Sequence, residues 1–449
     1  MAAGRPGDRL PSVRDLMGRH GVGPVTVQRA VHRLTARGLV DARPGRGTFV
    51  AAGRGGEERS SGPPDHGWQT VALGAGRLDV LDLEHLLRPP PPGVAVLSTG
   101  YLPDDLQPLG ALGQALGRAA RRPGAWGPVG VEGLAPLRAQ QAAWLGGGHT
   151  AEDILVTSGG QAALTACLRG LATPGGAIVV ESPTYLGVLA AARAAGLSAV
   201  PVPSDDDGLR PELLADALAA SRARVVYLQS SFANPHGVTL SRDRRAAVLD
   251  VVRAAGAFLI EDEPLRDLAF DPEALPPPLA HDDRGGHVVH ITSLTKVAAP
   301  GLRVGALAAR GPALARLRAA RVIEDFYVSG PLQEAALELR GAPAWARHLK
   351  RARAALRERA AALAAAVDRE LGPGRLRPAT GGLHSWVRLD PGEDDVVLAE
   401  RAYRAGVKVF AGRPWFATEP PAPYLRLTFA AESPERIAAA VATLGSLRG

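Results

Sequence analysis

Lysine is almost absent from this 449-residue chain. Of its 52 lysine and arginine residues, only Lys296, Lys350 and Lys408 are lysine. Arginine is therefore the usual basic residue of this chain, and the presence of a lysine at a given position needs an explanation. Solvated or snorkelling roles suffice for Lys350, in a basic helical pattern, and for Lys408, in the strand-like sequence GVKVF. Lys296 differs, because it directly follows an apolar strand pattern and stands beside Ser293 and Thr295.

Cysteine and long apolar runs are scarce as well. The single cysteine, Cys167, excludes an internal disulfide and a cysteine-rich zinc site, and its apolar surroundings indicate a core residue. No run of about 18 apolar residues is present, which argues against a transmembrane helix. The N-terminal sequence MAAGRPGDRLPS lacks the apolar segment of a secretory signal. These absences predict a cytoplasmic protein without a membrane partner, and no metal site is predicted.

Positive charge is concentrated at the N-terminus. Residues 1–50 contain nine arginines and three aspartates, so they carry most of the net charge of +7. A basic head on a nearly neutral body indicates a segment that faces nucleic acid. Arginine is common throughout this chain, however, so its abundance in the head is weak evidence by itself.

The head has the order of elements of a winged helix-turn-helix. Ser12 and Asp15 indicate a capped helix start, Gly21 and Gly23 interrupt the helix, and Pro24 suits the first turn of the next one. A basic hairpin follows, with its turn at PGRG. In such domains the second helix reads the major groove and the hairpin contacts phosphate. The alternative is a pair of solvated helices with ordinary surface arginines. The residues predicted to bind DNA are Arg14, Gln28, Arg29, Arg33, Arg43 and Arg46.

The same stretch resembles the DNA-binding domain of GntR-family regulators. The shared pattern runs LPS-x-R-x-L, then G-V-x-x-x-T-V-x-x-A, then G-L-V and G-x-G-T-F-V. In that family another helix precedes LPS and closes the core. Only eleven residues precede Ser12 here, with four glycines and prolines among them, so no helix is expected there. We therefore predict residues 1–50 to be a GntR-type winged helix whose first helix is missing, and DNA binding by this polypeptide stays open.

The remaining sequence predicts a linker and a large α/β domain. Residues 51–94 are rich in Gly, Ser, Pro and charge, which indicates a linker followed by the stiffer spacer RPPPPG. Short apolar runs such as DILVTS, AIVVESP and AFLIEDE then alternate with Ala/Leu/Arg helical patterns. This alternation predicts a mostly parallel sheet over about 95–330, followed by a smaller α+β part over about 331–449. Polar residues follow the strands, where open α/β sheets bind ligands.

Lys296 is the predicted catalytic residue. A buried lysine can become a neutral nucleophile toward a carbonyl group, and arginine cannot replace it in that reaction. Polar groups at other strand ends accompany it. Ser158-Gly159-Gly160-Gln161 opens a helix after a strand pattern, as in a phosphate-binding helix N-terminus. Asn234 follows the strand RVVYLQS, and Asp262 ends the strand AFLIED.

This set of residues, in this order, resembles the fold-type I, class I/II aminotransferase domain. The resemblance covers about residues 95–449 and implies the cofactor pyridoxal 5′-phosphate. It implies that Lys296 holds the cofactor as an internal aldimine and that Asp262 pairs with the pyridinium nitrogen. It also implies that Asn234 hydrogen-bonds the phenolic oxygen of the cofactor.

The resemblance extends to the ring face, the phosphate and the substrate carboxylate. Tyr185 in ESPTY would stack on the cofactor ring, and Arg426 in YLRLTF would bind a substrate or effector carboxylate. The residues implied around the phosphate are Gly160, Gln161, Ser293 and Arg303. One position departs from the pattern. Relatives usually carry a tyrosine two or three residues after the strand-ending Asp262, whereas Leu265 stands near that place here. The other residues still predict cofactor binding, but without this tyrosine hydroxyl the sequence leaves efficient transamination open.

A GntR-type winged helix joined to an aminotransferase-like domain resembles the MocR subfamily of transcription regulators. The resemblance implies a homodimer that binds operator DNA and senses pyridoxal phosphate, or a small amine or amino acid, through an aldimine at Lys296. The alternative is a cytoplasmic aminotransferase with a vestigial head. The intact Lys296, Asp262 and Arg426 favour that alternative, and the basic head and Leu265 oppose it. A purely structural dimerisation module is a third possibility, but it leaves Lys296 unexplained.

Overall fold

The computed structural model describes residues 5–43, 46–51, 66–73 and 88–448. The chain divides into two compact units, Met1–Gly76 and Arg77–Gly449. The described residues contain no helix that is both long and apolar enough to cross a bilayer.

The N-terminal unit confirms the predicted winged helix-turn-helix. The Ser12 side chain accepts a hydrogen bond from the Asp15 backbone, and the Asp15 carboxylate accepts one from the Ser12 backbone, which forms a capping box. The first helix ends at Gly21, whose φ of 61° favours glycine. Pro24 opens the second helix. The elements of this unit are α1 Val13–His20, α2 Pro24–Ala36, β1 Val40–Arg43, β2 Gly47–Val50 and α3 Gly67–Leu73.

Two features of this unit were not predicted from the sequence. The described residues before Ser12 form no helix but pair with the free edge of β2, where Leu10 donates to the Thr48 carbonyl and Val50 donates to the Asp8 carbonyl, both at 2.8 Å. This extended segment adds a third strand-like edge to the β1–β2 hairpin. Much of the predicted linker lies outside the described residues, but α3 occupies part of it and is helical.

The C-terminal unit is built on an eight-stranded sheet of order β4-β11-β10-β9-β8-β5-β6-β7. Strands β10, β9, β8, β5 and β6 are parallel, β11 is antiparallel to both of its neighbours, and β7 turns back on β6. The prediction of a mostly parallel sheet is therefore confirmed. The strands of this sheet are β4 Ile154–Thr157, β5 Ala177–Ser182, β6 Ser198–Asp205, β7 Gly208–Leu209, β8 Val225–Leu228, β9 Phe258–Asp262, β10 Val288–Ser293 and β11 Gly305–Ala308.

Helices cover both faces of the sheet because its central strands are buried on both sides. The α-helices among the described residues of this unit are α4 Leu109–Ala119, α5 Ala135–Leu145, α6 Gly160–Leu171, α7 Leu186–Ala194, α8 Pro211–Ser221, α9 Arg242–Ala254, α10 Leu279–Asp282, α11 Leu294–Val297, α12 Gly311–Glu324, α13 Gly330–Gly341, α14 Pro343–Glu370, α15 Asp395–Arg404 and α16 Pro434–Ser446.

The last third of the chain forms the smaller α+β part. Its antiparallel sheet has the order β12-β15-β14 and packs with α14 and α16. In the described part of this unit, the strands outside the large sheet are β3 Ala95–Val96, β12 His384–Arg388, β13 Val407–Lys408, β14 Phe410–Ala411 and β15 Tyr424–Thr428. Strand β3 pairs with β13, so residues 95 and 96 belong with the smaller part rather than with the predicted 95–330 segment. No apolar pattern in the short sequence AV indicated this pairing.

Candidate functional site

The nine residues predicted to bind cofactor or effector line one cavity. They are Gly160, Gln161, Tyr185, Asn234, Asp262, Ser293, Lys296, Arg303 and Arg426. They come from segments far apart in the sequence. Most of them meet because the carboxyl ends of parallel strands share one edge of the large sheet, and Arg426 reaches the cavity from β15 of the smaller sheet.

Lys296 lies in α11, three residues after β10 ends. Burial, assisted by the nearby charges of Arg426 and Arg303, lowers the pKa of Lys296 to about 7. Its Nζ atom lies 3.9 Å from the centroid of the Tyr101 ring. A lysine with this pKa is neutral in about half of the molecules at pH 7, which is the form that attacks a carbonyl carbon.

Asp262 ends β9 and presents one unpaired oxygen atom. Its Oδ2 accepts hydrogen bonds from the Tyr227 hydroxyl at 2.8 Å and from the Gln229 amide at 3.1 Å. Its Oδ1 is buried and has no hydrogen-bond partner among the described residues. Burial raises the pKa of Asp262, although the two hydrogen bonds oppose this rise. A buried acceptor without a partner costs free energy, so Oδ1 is suited to accept a hydrogen bond from a ligand.

The residues on either side of Asp262 anchor the strand from the opposite face of the sheet. Glu261 accepts hydrogen bonds from the Ser230 hydroxyl at 2.6 Å and from Arg245 at 3.2 Å. Glu263 lies 3.2 Å from Nε2 of His290. The ligand atoms of Glu261, Glu263 and His290 lie within 4.8 Å of one another, but neighbouring hydroxyl and guanidinium groups already hydrogen-bond these carboxylates. The cluster therefore supports the strand that carries Asp262.

The opposite end of the cavity is suited to an anion. Helix α6 begins at Gly160, and no side chain among the described residues caps it. Gly160 and Gln161 line the cavity, so a phosphate bound beside them could accept hydrogen bonds from the first N–H groups of α6. The Arg303 guanidinium donates to the Ser158 carbonyl at 2.8 Å and lies against Gly159, where a Cβ atom would approach Nη2 to 2.9 Å. Ser293 lies beside Gly160.

Tyr185 and Gln161 form one wall of the cavity. The Tyr185 hydroxyl donates to Oε1 of Gln161 at 3.1 Å, and the Gln161 amide donates to the Gly187 carbonyl at 3.2 Å. Burial raises the pKa of the Tyr185 hydroxyl, so it stays protonated and acts as a donor.

The wall formed by Tyr185 and Gln161 leaves room only for glycine at position 187. A Cβ atom at Gly187 would lie 2.2 Å from the Tyr185 ring and 2.6 Å from Oε1 of Gln161. We expect Gly187→Ala to displace the ring, destabilise the fold by about 1–3 kcal/mol and weaken cofactor retention by about tenfold. Thermal unfolding and equilibrium dialysis with pyridoxal phosphate measure the two effects. Gly113→Ala in α4, where nothing lies within 4 Å, is the control and should leave cofactor retention unchanged without destabilising the fold.

Arg426 lies in β15 and joins the smaller part of the unit to the large sheet. Its Nε donates to Oδ1 of Asn234 at 2.9 Å, and its Nη1 donates to the Ser98 carbonyl at 2.9 Å. Its guanidinium carbon lies 4.9 Å from the centroid of the Trp415 ring. Burial lowers the pKa of Arg426 to about 9. A buried guanidinium held in this way, without a carboxylate partner among the described residues, is suited to bind a ligand carboxylate.

Comparison with known proteins agrees with this geometry. Residues 93–444 match the family model of aminotransferase class I and II. The chain belongs to this aminotransferase family. The crystal structure of LysN, the alpha-aminoadipate aminotransferase of Thermus thermophilus complexed with N-(5′-phosphopyridoxyl)-L-leucine, is 32% identical to this chain. It matches with a TM-score of 0.78 over 84% of this chain and 97% of that protein. The aminotransferase-like domain is thus a fold-type I domain, as the sequence predicted.

The N-terminal unit matches a second family. Residues 3–50 match the model of bacterial regulatory proteins of the gntR family. The uncharacterized HTH-type transcriptional regulator YdcR of Escherichia coli is 27% identical over 99% of this chain and 95% of that protein. The HTH-type transcriptional regulator TauR of Rhodobacter capsulatus is 29% identical over 92% of this chain and 86% of that protein. The combination of the two families confirms the resemblance to the MocR subfamily.

Pyridoxal 5′-phosphate is the cofactor of the aminotransferase family, and the residues in the cavity fit it. The uncapped start of α6 and Arg303 suit the phosphate, and Oδ1 of Asp262 suits the protonated ring nitrogen. The neutral Lys296 amine suits the aldehyde. These three groups line the same cavity as Tyr185, which can lie against the ring face.

The sequence analysis missed several residues that line the cavity or support its lining. Tyr227 and Gln229, which hold Asp262, lie at the end of the buried strand β8, and polar residues at that place could have identified them. Tyr101 and His384 also line the cavity, in segments whose patterns carry no such signal. Leu265 lines the cavity as well and places an apolar side chain in its wall.

The six residues predicted to bind DNA are exposed. Gln28, Arg29 and Arg33 lie on α2, whereas Arg43 and Arg46 flank the tip of the hairpin. Arg43 is partly engaged, because it pairs with Asp41 at 3.2 Å and lies over the Phe49 ring. The remaining residue, Arg14, lies at the start of α1.

Proposed function

We propose that this protein is a pyridoxal-phosphate-dependent transcription regulator. Its aminotransferase-like domain senses the cofactor, or an amine or amino acid, at Lys296. The observation that carries the proposal is that one chain combines a gntR-family winged helix with a cavity lined by all nine residues predicted to bind cofactor or effector. Relatives named as HTH-type transcriptional regulators match almost the full length of the chain, which supports this combination as a functional unit.

Each of the nine predicted cavity residues has a role in this proposal. Lys296 would supply a neutral amine for the aldehyde, and Oδ1 of Asp262 would accept a hydrogen bond from the protonated ring nitrogen. Tyr185 would lie against the ring, and Asn234 would hydrogen-bond its phenolic oxygen. The residues that would hold the phosphate are Gly160, Gln161, Ser293 and Arg303. When bound, the cofactor supplies an electrophilic carbon that reacts with amines.

Arg426 is proposed to connect ligand binding to a change of conformation. It lies in the smaller part of the unit and hydrogen-bonds Asn234, which follows β8 of the large sheet. A ligand carboxylate bound by Arg426 would compete for this guanidinium and shift the smaller part relative to the large sheet. Such a ligand changes operator affinity only if it binds the two conformations with different affinity.

The three segments of the chain have separate roles in this proposal. Residues 1–50 bind operator DNA, residues 51–94 are linker and spacer, and residues 95–449 bind the cofactor. The protein acts as a homodimer in the cytoplasm, where the chromosome is accessible to it. The proposed DNA contacts are Arg14, Gln28, Arg29, Arg33, Arg43 and Arg46.

Fluorescence anisotropy on the DNA upstream of its own gene tests the proposal. The full chain is titrated at fixed salt with and without pyridoxal phosphate, and scrambled DNA of equal length is the control. Specific binding that shifts with the cofactor or with an added amine is the expected result. Equal affinity for the operator in the cofactor-free, cofactor-bound and amine-loaded forms would contradict it.

Arg29 and Arg33 should be needed for operator binding. Both lie on the exposed face of α2, so we expect Arg29→Ala and Arg33→Ala each to weaken binding by about 1–3 kcal/mol. A phosphate contact would also reduce the salt dependence of binding by about one ion, whereas a base contact would reduce sequence discrimination. Arg404→Ala, an exposed arginine of α15, should leave operator affinity unchanged.

An aminotransferase is the second candidate function, because the cavity retains Lys296, Asp262 and Arg426. The 2-aminoadipate transaminase of Thermus thermophilus is 32% identical over 85% of this chain, which also favours an enzyme. Steady turnover of an amino acid with a keto acid, without specific operator binding, would select this candidate.

A further inference from the structure

We infer that Gln229 is a positioning residue that links the Arg426 guanidinium to the Asp262 carboxylate, so that a change at one group alters the other. Gln229 directly follows β8, is buried and lines the cavity. This inference rests on the proposed function and deepens it, because it concerns the regulation of the same cavity. It is carried by three hydrogen bonds that join Arg426, Asn234, Gln229 and Asp262 in that order.

The first hydrogen bond fixes the orientation of the Asn234 side chain. Nε of Arg426 donates to Oδ1 of Asn234 at 2.9 Å. A guanidinium group can only donate hydrogen bonds, so the oxygen atom of the Asn234 amide must face it. The Nδ2 group of Asn234 is therefore left to donate to a ligand, as the proposed hydrogen bond to the phenolic oxygen requires.

The second hydrogen bond fixes the orientation of the Gln229 side chain. The backbone N–H of Asn234 donates to Oε1 of Gln229 at 2.8 Å. Because a backbone N–H is always a donor, the amide oxygen of Gln229 must face Asn234, and Nε2 is left to donate elsewhere. Asn234 thus contacts Arg426 through its side chain and Gln229 through its backbone.

The third hydrogen bond decides which oxygen atom of Asp262 is left for a ligand. Nε2 of Gln229 donates to Oδ2 at 3.1 Å, and the Tyr227 hydroxyl donates to the same atom. Oδ1 has no hydrogen-bond partner among the described residues. Burial raises the pKa of Asp262, and the two donors oppose this rise because they stabilise the carboxylate. Without Gln229, Asp262 would bind a proton more strongly and pair less well with a protonated ring nitrogen.

The backbone of Gln229 is held independently of these three bonds. Its N–H donates to Oε1 of Glu181, a buried residue of β5, at 2.8 Å. The side-chain amide is therefore the movable part of Gln229, and both of its ends are engaged. Since Oε1 and Nε2 belong to one rigid group, a displacement of Asn234 changes the hydrogen bond to Asp262. A change at Arg426 should reach Asp262 by this route.

Nitrogen-15 NMR of the full chain, loaded with pyridoxal phosphate labelled at the ring nitrogen, tests the role of Gln229. The chemical shift of that nitrogen reports how far it is protonated, and it does not depend on turnover. Gln229→Met removes both hydrogen bonds of the amide at nearly the same volume. We expect it to move the shift toward the unprotonated form and to weaken cofactor retention in equilibrium dialysis by about tenfold. An unchanged shift would overturn the inference.

Two further variants separate this role from packing. Gln229→Asn keeps a buried amide but is one methylene group shorter, so it cannot make both contacts at once and should show the same change of shift. It also serves as the test if Gln229→Met does not fold. A shift in Gln229→Asn equal to that of the unaltered protein would contradict the bridging role. Gln114→Met, at an exposed glutamine of α4, is the matched control and should leave both readouts unchanged.

A double-mutant cycle tests the link to Arg426. Arg426→Lys keeps the positive charge but lacks the Nε donor, so it should release Asn234. If Gln229 transmits this change, Arg426→Lys should affect cofactor retention and the nitrogen-15 shift at least about threefold less in Gln229→Met than in the unaltered background. Arg303→Lys belongs to no part of the link, so its effect should be the same in both backgrounds. Equal effects of Arg426→Lys in both backgrounds would overturn the link.

The two proposals fail in different ways. A protein whose operator affinity responds to pyridoxal phosphate, but whose Arg426→Lys and Gln229→Met effects are independent, retains the proposed function and contradicts this inference. A protein whose operator affinity ignores both cofactor and amines contradicts the proposed function, whatever the ring-nitrogen signal shows.

Discussion

Lys296→Ala should abolish covalent attachment of pyridoxal phosphate. The amine of Lys296 is the nucleophile whose pKa is lowered to about 7 in the cavity, and no other lysine lines it among the described residues. We expect no cofactor bond that borohydride can trap, and we expect affinity for the cofactor to fall by about a hundredfold or more, since one covalent bond is lost. Borohydride trapping followed by mass spectrometry, together with equilibrium dialysis, measures both effects.

Lys350 offers a matched control for this substitution. It is one of the chain's other two lysines and is exposed on α14. Lys350→Ala should therefore retain full attachment. Lys296→Arg keeps the positive charge but lacks the neutral amine, so it should fail as Lys296→Ala does. Attachment that persists in Lys296→Arg would show that the bond forms elsewhere. Operator affinity of both Lys296 variants should no longer respond to amines.

The site was largely predictable because its chemistry depends on residue type at strand ends. Lys296 could be selected from three lysines because it follows an apolar strand, and Asp262 because it ends one. The sheet then brings such ends together regardless of their separation in sequence. Residues that are recognised in the sequence by their place at strand ends therefore come together at one edge of the sheet. All nine predicted residues line the cavity there.

The parts that were missed depend on contacts that leave no local pattern. Tyr101 follows β3 by five residues, so the position of β3 brings it to the cavity. The position of β3 in turn depends on its pairing with β13, more than 300 residues later in the sequence. The strand-like segment before Ser12 is held by hydrogen bonds to β2. Both pairings involve segments too short for period-two alternation to indicate a strand. Helix α3 was missed for the same reason, since its seven residues are too few to show a clear helical pattern in the sequence.

The pH dependence of cofactor capture should report the environment of Lys296. Its pKa is lowered from an ordinary 10.5 to about 7, chiefly by burial. The neutral fraction at pH 7 is then about a half, against about 0.03% for an ordinary lysine, a difference of about a thousandfold. The capture rate should rise as pH increases through 7 and level off near pH 8. Stopped-flow absorbance with pyridoxal phosphate measures it, and a rate still rising steeply at pH 9 would contradict the burial of this amine.

Two substitutions should move this profile in opposite directions, because two charges act on Lys296 with opposite sign. The Arg426 charge lowers the pKa of Lys296 and the Asp262 charge raises it. Arg426→Gln should therefore shift the midpoint of the profile to higher pH, and Asp262→Asn should shift it to lower pH. A change that only loosened the cavity would hydrate the amine and move both variants upward. Opposite shifts would thus show that the charges of Arg426 and Asp262 adjust the pKa of Lys296, which burial has already lowered. They would also show that the group proposed to bind a carboxylate and the group proposed to bind the ring nitrogen both act on the Lys296 amine.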